Sequence, residues 1–307
     1  MKIFVIVVTY NPKKWIAACF SSLRNSSLPL NIIVVDNCST DDSPEIIKQN
    51  YPEVNFIQSA NNLGFGKANN LGVKMAFDQG ADFVFLLNQD VWIQSDSIEK
   101  LVNASQSNPL YGVLSPIHSN GKGDALDHAF GQYLNSIKDN KLLTDLLLNF
   151  PLNNIYELPF VNAAAWLITR ACIQKVGGFD PIFFHYGEDE NYCQRVLFHG
   201  FRIGIVPGSK IFHDRKPFIE KFIAHLDRNN FDRYVKIKLG DVNLLSFNNA
   251  YRKEMGFLKV KMLLSILTFD LNGFLKWNNF VWYLKSIRNS IKKSYTLNKQ
   301  SGCNYLG

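Results

Sequence analysis

In FLLNQDVWI, an apolar run from Phe83 to Leu87 stops on Asn88, Gln89 and Asp90. A buried strand gains nothing by ending on a carboxylate unless that carboxylate caps a following helix or holds a ligand. If the ligand is a diphosphate, two anionic partners can share the site only across a divalent cation such as Mg2+ or Mn2+. A second apolar run, NIIVVD, ends on Asp36, which could accept hydrogen bonds from a ribose or a pyrimidine, or cap a turn. A third acidic group, Glu188, Asp189 and Glu190, precedes the helical pattern Tyr192–Phe198. Carboxylates are favoured at a helix N-terminus. These acids also follow Phe183, Phe184, His185 and Tyr186, and a carboxylate in a partly desolvated aromatic pocket is a better base near neutral pH. His213 closes the apolar run Ile211–Phe212, where a lone histidine is more often structural than catalytic.

These residues need a scaffold that brings them together. Ile3–Val8 is followed by the amphipathic stretch Lys14–Arg24, and Asn31–Val35 by a helix that Asp41 or Asp42 could cap, with Pro44 in its first turn. Val54–Gln58 is followed by Lys67–Gln79, and Phe83–Leu87 by Asp96–Ser107. Strands alternating with helices of this length predict βαβ units and a mainly parallel sheet, in which ligands bind beyond the carboxyl ends of the strands. The polar groups Thr9, Tyr10 and Asn11, then Asp36, then Asn61 to Lys67, then Asn88 to Asp90 all fall at those ends. A further short strand is expected at Gly204–Pro207, and residues 120–157 read as an insertion on the acceptor side.

A chain of 307 residues with 47% hydrophobic content can bury one large core with an appendage. Cys19, Cys38, Cys172, Cys193 and Cys303 are scattered and form no CxxC pair, which argues against a disulfide framework or a zinc cluster and fits a reducing cytoplasm. MKIFVIVVTYNP reads as a first strand and not as a signal segment. Residues 251–307 hold ten Lys/Arg against Glu254 and Asp270, a balance of +8 within a net charge of +7. Basic and aromatic residues mixed in this way suit a helix lying on an anionic membrane face, and equally a helical appendage with a solvated basic back. No nucleic-acid-binding motif accompanies the charge. GFGKANN, from Gly64 to Asn70, does not follow the first strand and has Asn69 where a dinucleotide fingerprint needs glycine.

VVTYN at the start, VVDNCSTD around Asp36, NNLGFGKANNLGV, LLNQD, NAAAWLITR, GGFD and GEDENYCQRV together resemble the family 2 glycosyltransferases, and among them rhamnosyltransferase-type members, over about residues 3–213. The resemblance implies an inverting enzyme of the GT-A fold, α/β with a Rossmann-like, mainly parallel central sheet, over residues 1–235, followed by a basic helical region over 236–307. It implies that Thr9, Tyr10, Asn11 and Asp36 contact the base and ribose. Asn62, Gly64, Lys67, Asn70 and Asn88 would border the nucleotide. Asp90 matches the last position of the family's DxD-type metal motif, whose first acid is here the uncharged Asn88, and His213 matches a position that reaches the metal or diphosphate. Asp189 matches the general base. Glu188, Arg195 and Trp166 fall on the acceptor side, although Arg195 could instead form a surface salt bridge and Trp166 could be core.

The expected partners are a dTDP- or UDP-linked sugar donor and a saccharide or lipid-linked saccharide acceptor in bacterial surface polysaccharide synthesis, with a divalent cation. The expected location is cytoplasmic, with residues 251–307 as the peripheral membrane contact. Two other classes stay open on residues alone: a nucleotide-sugar binder without turnover, which Asn88 would suit, and a nicotinamide-dependent oxidoreductase, which the missing glycine fingerprint disfavours.

Overall fold

The computed structural model describes residues 1–138, 140–215 and 228–307. In chain order, the first part contains β1 (Ile3–Thr9), α1 (Ile16–Arg24), β2 (Asn31–Asp36), α2 (Ser43–Asn50), β3 (Asn55–Gln58), α3 (Phe65–Asp78), β4 (Phe83–Asn88), β5 (Val91–Ile93) and α4 (Ser97–Ser107). Next come β6 (Tyr111–Asn120), α5 (His128–Ser136), α6 (Lys141–Leu147), β7 (Tyr156–Glu157), β8 (Ala165–Thr169) and α7 (Arg170–Val176). The chain then forms α8 (Glu188–Phe198), β9 (Arg202–His213), α9 (Arg228–Gly240), α10 (Phe247–Leu267) and α11 (Leu271–Asn298).

The strands form one sheet in the order β3-β2-β1-β4-β8-β6-β9-β5, with β7 pairing with β9. The expected parallel character holds for β3-β2-β1-β4 and for β6 beside β9. It fails in the middle, where β8 runs antiparallel to both β4 and β6, so the sheet is mixed. Side chains alternate between two cores. Phe4, Ile6, Ile33 and Val35 face one, and Ile3, Val5, Val7, Ile32 and Val34 face the other. A strand buried on both faces reads as a continuous apolar run, which is why these segments showed no alternation.

Helices α1, α2 and α4 cover one face through Phe20, Ile47 and Leu101. Helices α3, α5, α7 and α8 cover the other through Val73, Phe130, Ile173 and Val196. Asp41 accepts a hydrogen bond from the Ser43 N–H at 3.1 Å, while Asp42 at the N-cap of α2 forms no side-chain cap. The short strand expected at Gly204–Pro207 is part of a longer one. β9 runs on to His213 past an irregularity at which Val206 pairs with Pro116 and Lys210 with Ile117. Pro207 is tolerated there because a bulge needs no ladder donor.

The division expected at 235/236 falls inside α9, and a third core of Phe231, Val235, Leu258, Phe280, Leu284 and Ile291 joins α9, α10 and α11. Ile182, from the loop before α8, packs against this core, and Leu306 returns to the sheet's own core.

Candidate active site

The parallel register of β1 and β2 sets Thr9 opposite Asp36. The Thr9 hydroxyl donates to Asp36 Oδ1 at 2.9 Å, and the Ser39 N–H donates to Oδ2 at 2.9 Å. Asp36 is fully buried. The Ser39 hydroxyl donates to Oδ1 as well, at 2.5 Å, so neutral donors hold the carboxylate at the strand end and only Oδ2 keeps room for one further hydrogen bond. Asn11, in the left-handed region at φ 49°, turns its side chain onto the next loop and accepts from the Thr40 N–H at 2.8 Å. Gln89 bridges Tyr10, accepting from its N–H at 2.7 Å and donating to its carbonyl at 3.2 Å. Asn37 ties the third strand end to the second by donating to Asn62 Oδ1 at 2.9 Å and accepting from the Leu63 N–H at 2.7 Å.

Asp90 and His213 lie far apart in sequence and meet through the β5–β9 ladder, in which Val91 pairs with His213. Asp90 Oδ1 and His213 Nε2 are 3.4 Å apart, and His213 Nδ1 is 3.5 Å from Asp127 Oδ2. The ring is 1% exposed and neither nitrogen has a hydrogen-bond partner. Burial pushes the Asp90 carboxyl up, but His213 and Arg215 outweigh it and leave it below its ordinary value. The positive charge of Arg215, two residues beyond His213, also acts on Asp189. Asp127 caps α5, accepting from the Phe130 N–H at 2.9 Å, and thereby brings the 120–157 segment against His213.

The general-base candidate sits where the acidic stretch predicts, in the first turn of α8 after Gly187, whose φ is 97°. The loop before it crosses the start of α3, where the Phe65 N–H donates to the Phe184 carbonyl at 3.2 Å. A Cβ on Gly64 would lie 2.1 Å from that carbonyl oxygen, so glycine is required for this approach. In this way GFGKANN and GEDENYCQRV become neighbours. Burial raises the Asp189 carboxyl above its ordinary value, against the backbone N–H groups of Glu190 and Ala163 and the charge of Arg215. Burial, followed by the adjacent Asp189 charge, pushes Glu188 up to about 7. Glu188 Oε2 is buried without a partner. The aromatic wall is only partial, since Phe183 is buried while Phe184 and Tyr186 are largely exposed.

Three expected site residues do other work. Both ends of the Asn70 amide are taken by Phe179, accepting from its N–H at 2.7 Å and donating to its carbonyl at 2.8 Å, so Asn70 braces the GGFD loop. Trp166 is fully buried in the core beside Phe179 and Tyr192 and cannot stack on a sugar. Arg195 is fully buried and donates to the Val176 carbonyl at 3.1 Å and to the Gly178 carbonyl, closing the end of α7. It neither orients an acceptor nor forms a surface salt bridge.

Asp127 and Arg215 were missed, and Asn37 and Gln89 were placed at strand ends without a role. Asn37 and Gln89 adjoin residues already singled out, and Arg215 lies two positions after His213, so proximity was an available signal. Asp127 gave none. Lys67 is exposed in the first turn of α3 and forms no ion pair among the described residues, and Asn88 ends β4 with its N–H donating to the Ala164 carbonyl at 2.9 Å.

The donor set fits a hard divalent cation in part. Asp90 offers an anionic oxygen and His213 a buried, unpartnered nitrogen. Among the described residues no cluster of three or more His, Cys, Asp or Glu forms a complete cage. A two-donor arrangement suits a cation that keeps waters and takes its remaining ligands from substrate phosphates.

Residues 4–163 match the family described as Glycosyl transferase family 2. The chain is 28% identical over 232 residues to the N-acetylglucosaminyl-diphospho-decaprenol L-rhamnosyltransferase of Mycobacterium tuberculosis, covering 69% of this chain and 75% of that protein. It is 24% identical over 218 residues to the dTDP-rhamnosyl transferase RfbF of Shigella flexneri, covering 69% and 68% respectively. Its fold is that of S. aureus TarS 1-349, solved in complex with UDP-GlcNAc, with a TM-score of 0.59 at 16% identity over 97% of this chain and 88% of that one. With the strand-end geometry, these likenesses identify the chain as a member of glycosyl transferase family 2, a rhamnosyltransferase-like glycosyltransferase of the GT-A fold.

Proposed function

We propose that the protein transfers a hexosyl or 6-deoxyhexosyl group, with inversion, from a dTDP- or UDP-linked donor to a saccharide or lipid-linked saccharide in bacterial surface polysaccharide synthesis. The observation that carries the reading is the convergence of Asp36, the Asp90–His213 pair with Arg215, and Asp189 beyond the carboxyl ends of one sheet. The printed names of the relatives, a diphospho-decaprenol L-rhamnosyltransferase and a dTDP-rhamnosyl transferase, support the donor and acceptor classes.

In this reading Thr9, Tyr10, Asn11, Asp36 and Asn62 hold the nucleoside, and Gly64, Lys67 and Asn88 border its phosphates. Asp189 accepts the proton of the acceptor hydroxyl as that oxygen bonds to the anomeric carbon. The bond from that carbon to the diphosphate oxygen breaks, and its electron pair leaves with the nucleoside diphosphate. Arg215 and Lys67 place positive charge toward the departing group. Asp90 and His213 would hold a divalent cation, which when bound supplies further charge to the diphosphate. Glu188 lies beside the base on the acceptor side.

Isothermal titration of UDP and dTDP, each with and without Mn2+, tests the site. Binding strengthened by Mn2+ in the intact protein and lost in Asp90→Ala is expected, and absence of binding by either nucleotide would sink the reading. Asp189→Asn is expected to keep that binding while slowing transfer at least about 100-fold, the scale of general-base catalysis.

A further inference from the structure

The antiparallel pair α10–α11 is anchored at one end and bare at the other. Leu258 is the last apolar residue of α10 to be buried and Phe280 the first of α11, and between them only Ser265 is buried. From Leu258 to the end of α10 the helix runs on for about 14 Å at about 1.5 Å per residue. This free length is not polar. Leu263, Leu264, Ile266, Leu267, Leu271 and Leu275 are all exposed, and Phe269 at the turn is 96% exposed. Phe269 also holds φ 55°, a left-handed position that ordinarily favours glycine or asparagine. An apolar patch of this kind on a folded surface calls for an occupant.

The charges around the patch select one. Lys259, Lys261 and Lys276 flank the turn, and none of them forms an ion pair among the described residues. The Lys261 ammonium lies over the Phe257 ring at 5.6 Å and the Lys276 ammonium over the Trp277 ring at 5.3 Å, so both charges rest on aromatic faces beside the patch with no carboxylate among the described residues to neutralise them. Four N–H groups of the turn are satisfied internally. The Thr268 N–H donates to the Leu264 carbonyl at 3.0 Å, Phe269 to Ile266 at 3.1 Å and Asp270 to Ser265 at 2.8 Å, and Asp270 Oδ1 in turn accepts from the Gly273 N–H at 2.9 Å. Each donor met within the turn lowers the cost of bringing that backbone to an apolar interface. No described helix is long and apolar enough to cross a membrane, so the fit is to a surface. A second copy of the chain, paired about a twofold axis through the same patch, would set lysine against lysine.

We propose that the tip of the α10–α11 hairpin is a wedge that seats in the headgroup region of an anionic lipid bilayer, with Lys259, Lys261 and Lys276 at the phosphate level. The proposal deepens the reading of a lipid-linked acceptor by giving the enzyme a way to work at the surface that holds it. It is tested without donor or acceptor.

The experiment is flotation of the full chain with phosphatidylcholine vesicles, with and without phosphatidylglycerol. It compares the natural sequence with Leu267→Glu/Phe269→Glu/Leu271→Glu and with Lys259→Glu/Lys261→Glu/Lys276→Glu. All the altered side chains are outside the cores, so unchanged circular dichroism and melting temperature serve as the folding control. The natural chain is expected to float with the anionic vesicles only. The apolar variant should lose at least about tenfold in partitioning, and the loss of each lysine charge should weaken it about fivefold. Failure of the natural chain to float, or flotation of both variants to the same extent, overturns the proposal. So does a dimer in sedimentation that the apolar variant splits while flotation is unaffected, because the patch then serves self-association. Loss of nucleotide binding with flotation intact would instead overturn only the transferase reading.

Discussion

The two carboxylates that matter most have environments that push them apart. Asp90 is held below its ordinary value beside His213, so it is an anion at any working pH, whereas Asp189 is held above its own. A general base acts only when deprotonated. In the role proposed for Asp189, the base is protonated and lost as the pH falls through its raised value, so the acid limb of the kcat/KM profile should lie above the roughly 3.9 of an ordinary aspartate. Initial rates across pH 4 to 8 check this, with nucleotide binding followed in parallel to separate the base from the site. A limb at or below the ordinary value would mean that another group accepts the proton. Asp189 was legible from its acidic neighbours, and Asp90 from the abrupt end of an apolar run. Asp127 was not, because only folding places it 3.5 Å from His213.

At the scale of one element, the first turn of α8 concentrates three acids, Glu188, Asp189 and Glu190, where a helix favours negative charge. Burial wins over the dipole at Glu188, which rises to about 7 from 4.5. The folded state therefore holds a proton between those values that the unfolded chain has released, so this group's contribution to stability falls as the pH rises from about 4.5 to 7 and stays low above it. Glu188→Gln should leave stability unchanged near pH 4.5 and raise it by up to roughly 3 kcal/mol at pH 8, as read by urea unfolding at the two pH values. Equal stabilities at pH 8 would show that the carboxylate is solvated. The helix itself was predictable from Tyr192–Phe198. That Arg195 on its inner face closes α7 was not, since a buried guanidinium and a surface one have the same local sequence.

For the whole molecule, the helical region behaves as part of the enzyme's frame. Asp180, in the loop leading to Asp189, accepts hydrogen bonds from Ser294 and, at 2.8 Å, from Asn298 of α11, and the Gly178 N–H donates to the Asn304 carbonyl at 2.8 Å. A chain ending at residue 235 would leave the Asp180 carboxylate without these donors, expose Ile182 and cut α9 within its core. Unpartnered buried polar groups cost about 1–3 kcal/mol each. Such a truncation should be insoluble or lack a cooperative melt, whereas the hairpin-tip substitutions should melt like the natural chain. A soluble, cooperatively melting 1–235 fragment would support two independent units.

The sequence by itself determined the first four strands, as apolar runs bounded by polar ends and alternating with helical patterns, and a part of β9, whereas β5, β6, β7 and β8 carried no such signal. It also determined the family, because short motifs in a fixed order carry their own identity, and it determined that polar groups gather at strand ends. Tertiary structure alone decided which of those groups share a site. β8 enters the sheet antiparallel between β4 and β6, and the register of β5 with β9 sets His213 against Asp90, both through backbone pairing that side-chain patterns do not encode. It alone also decided that Asn70, Trp166 and Arg195 are structural and that the α10–α11 tip is bare. A residue's burial depends on what the rest of the chain packs against it, and its own type and neighbours do not record that.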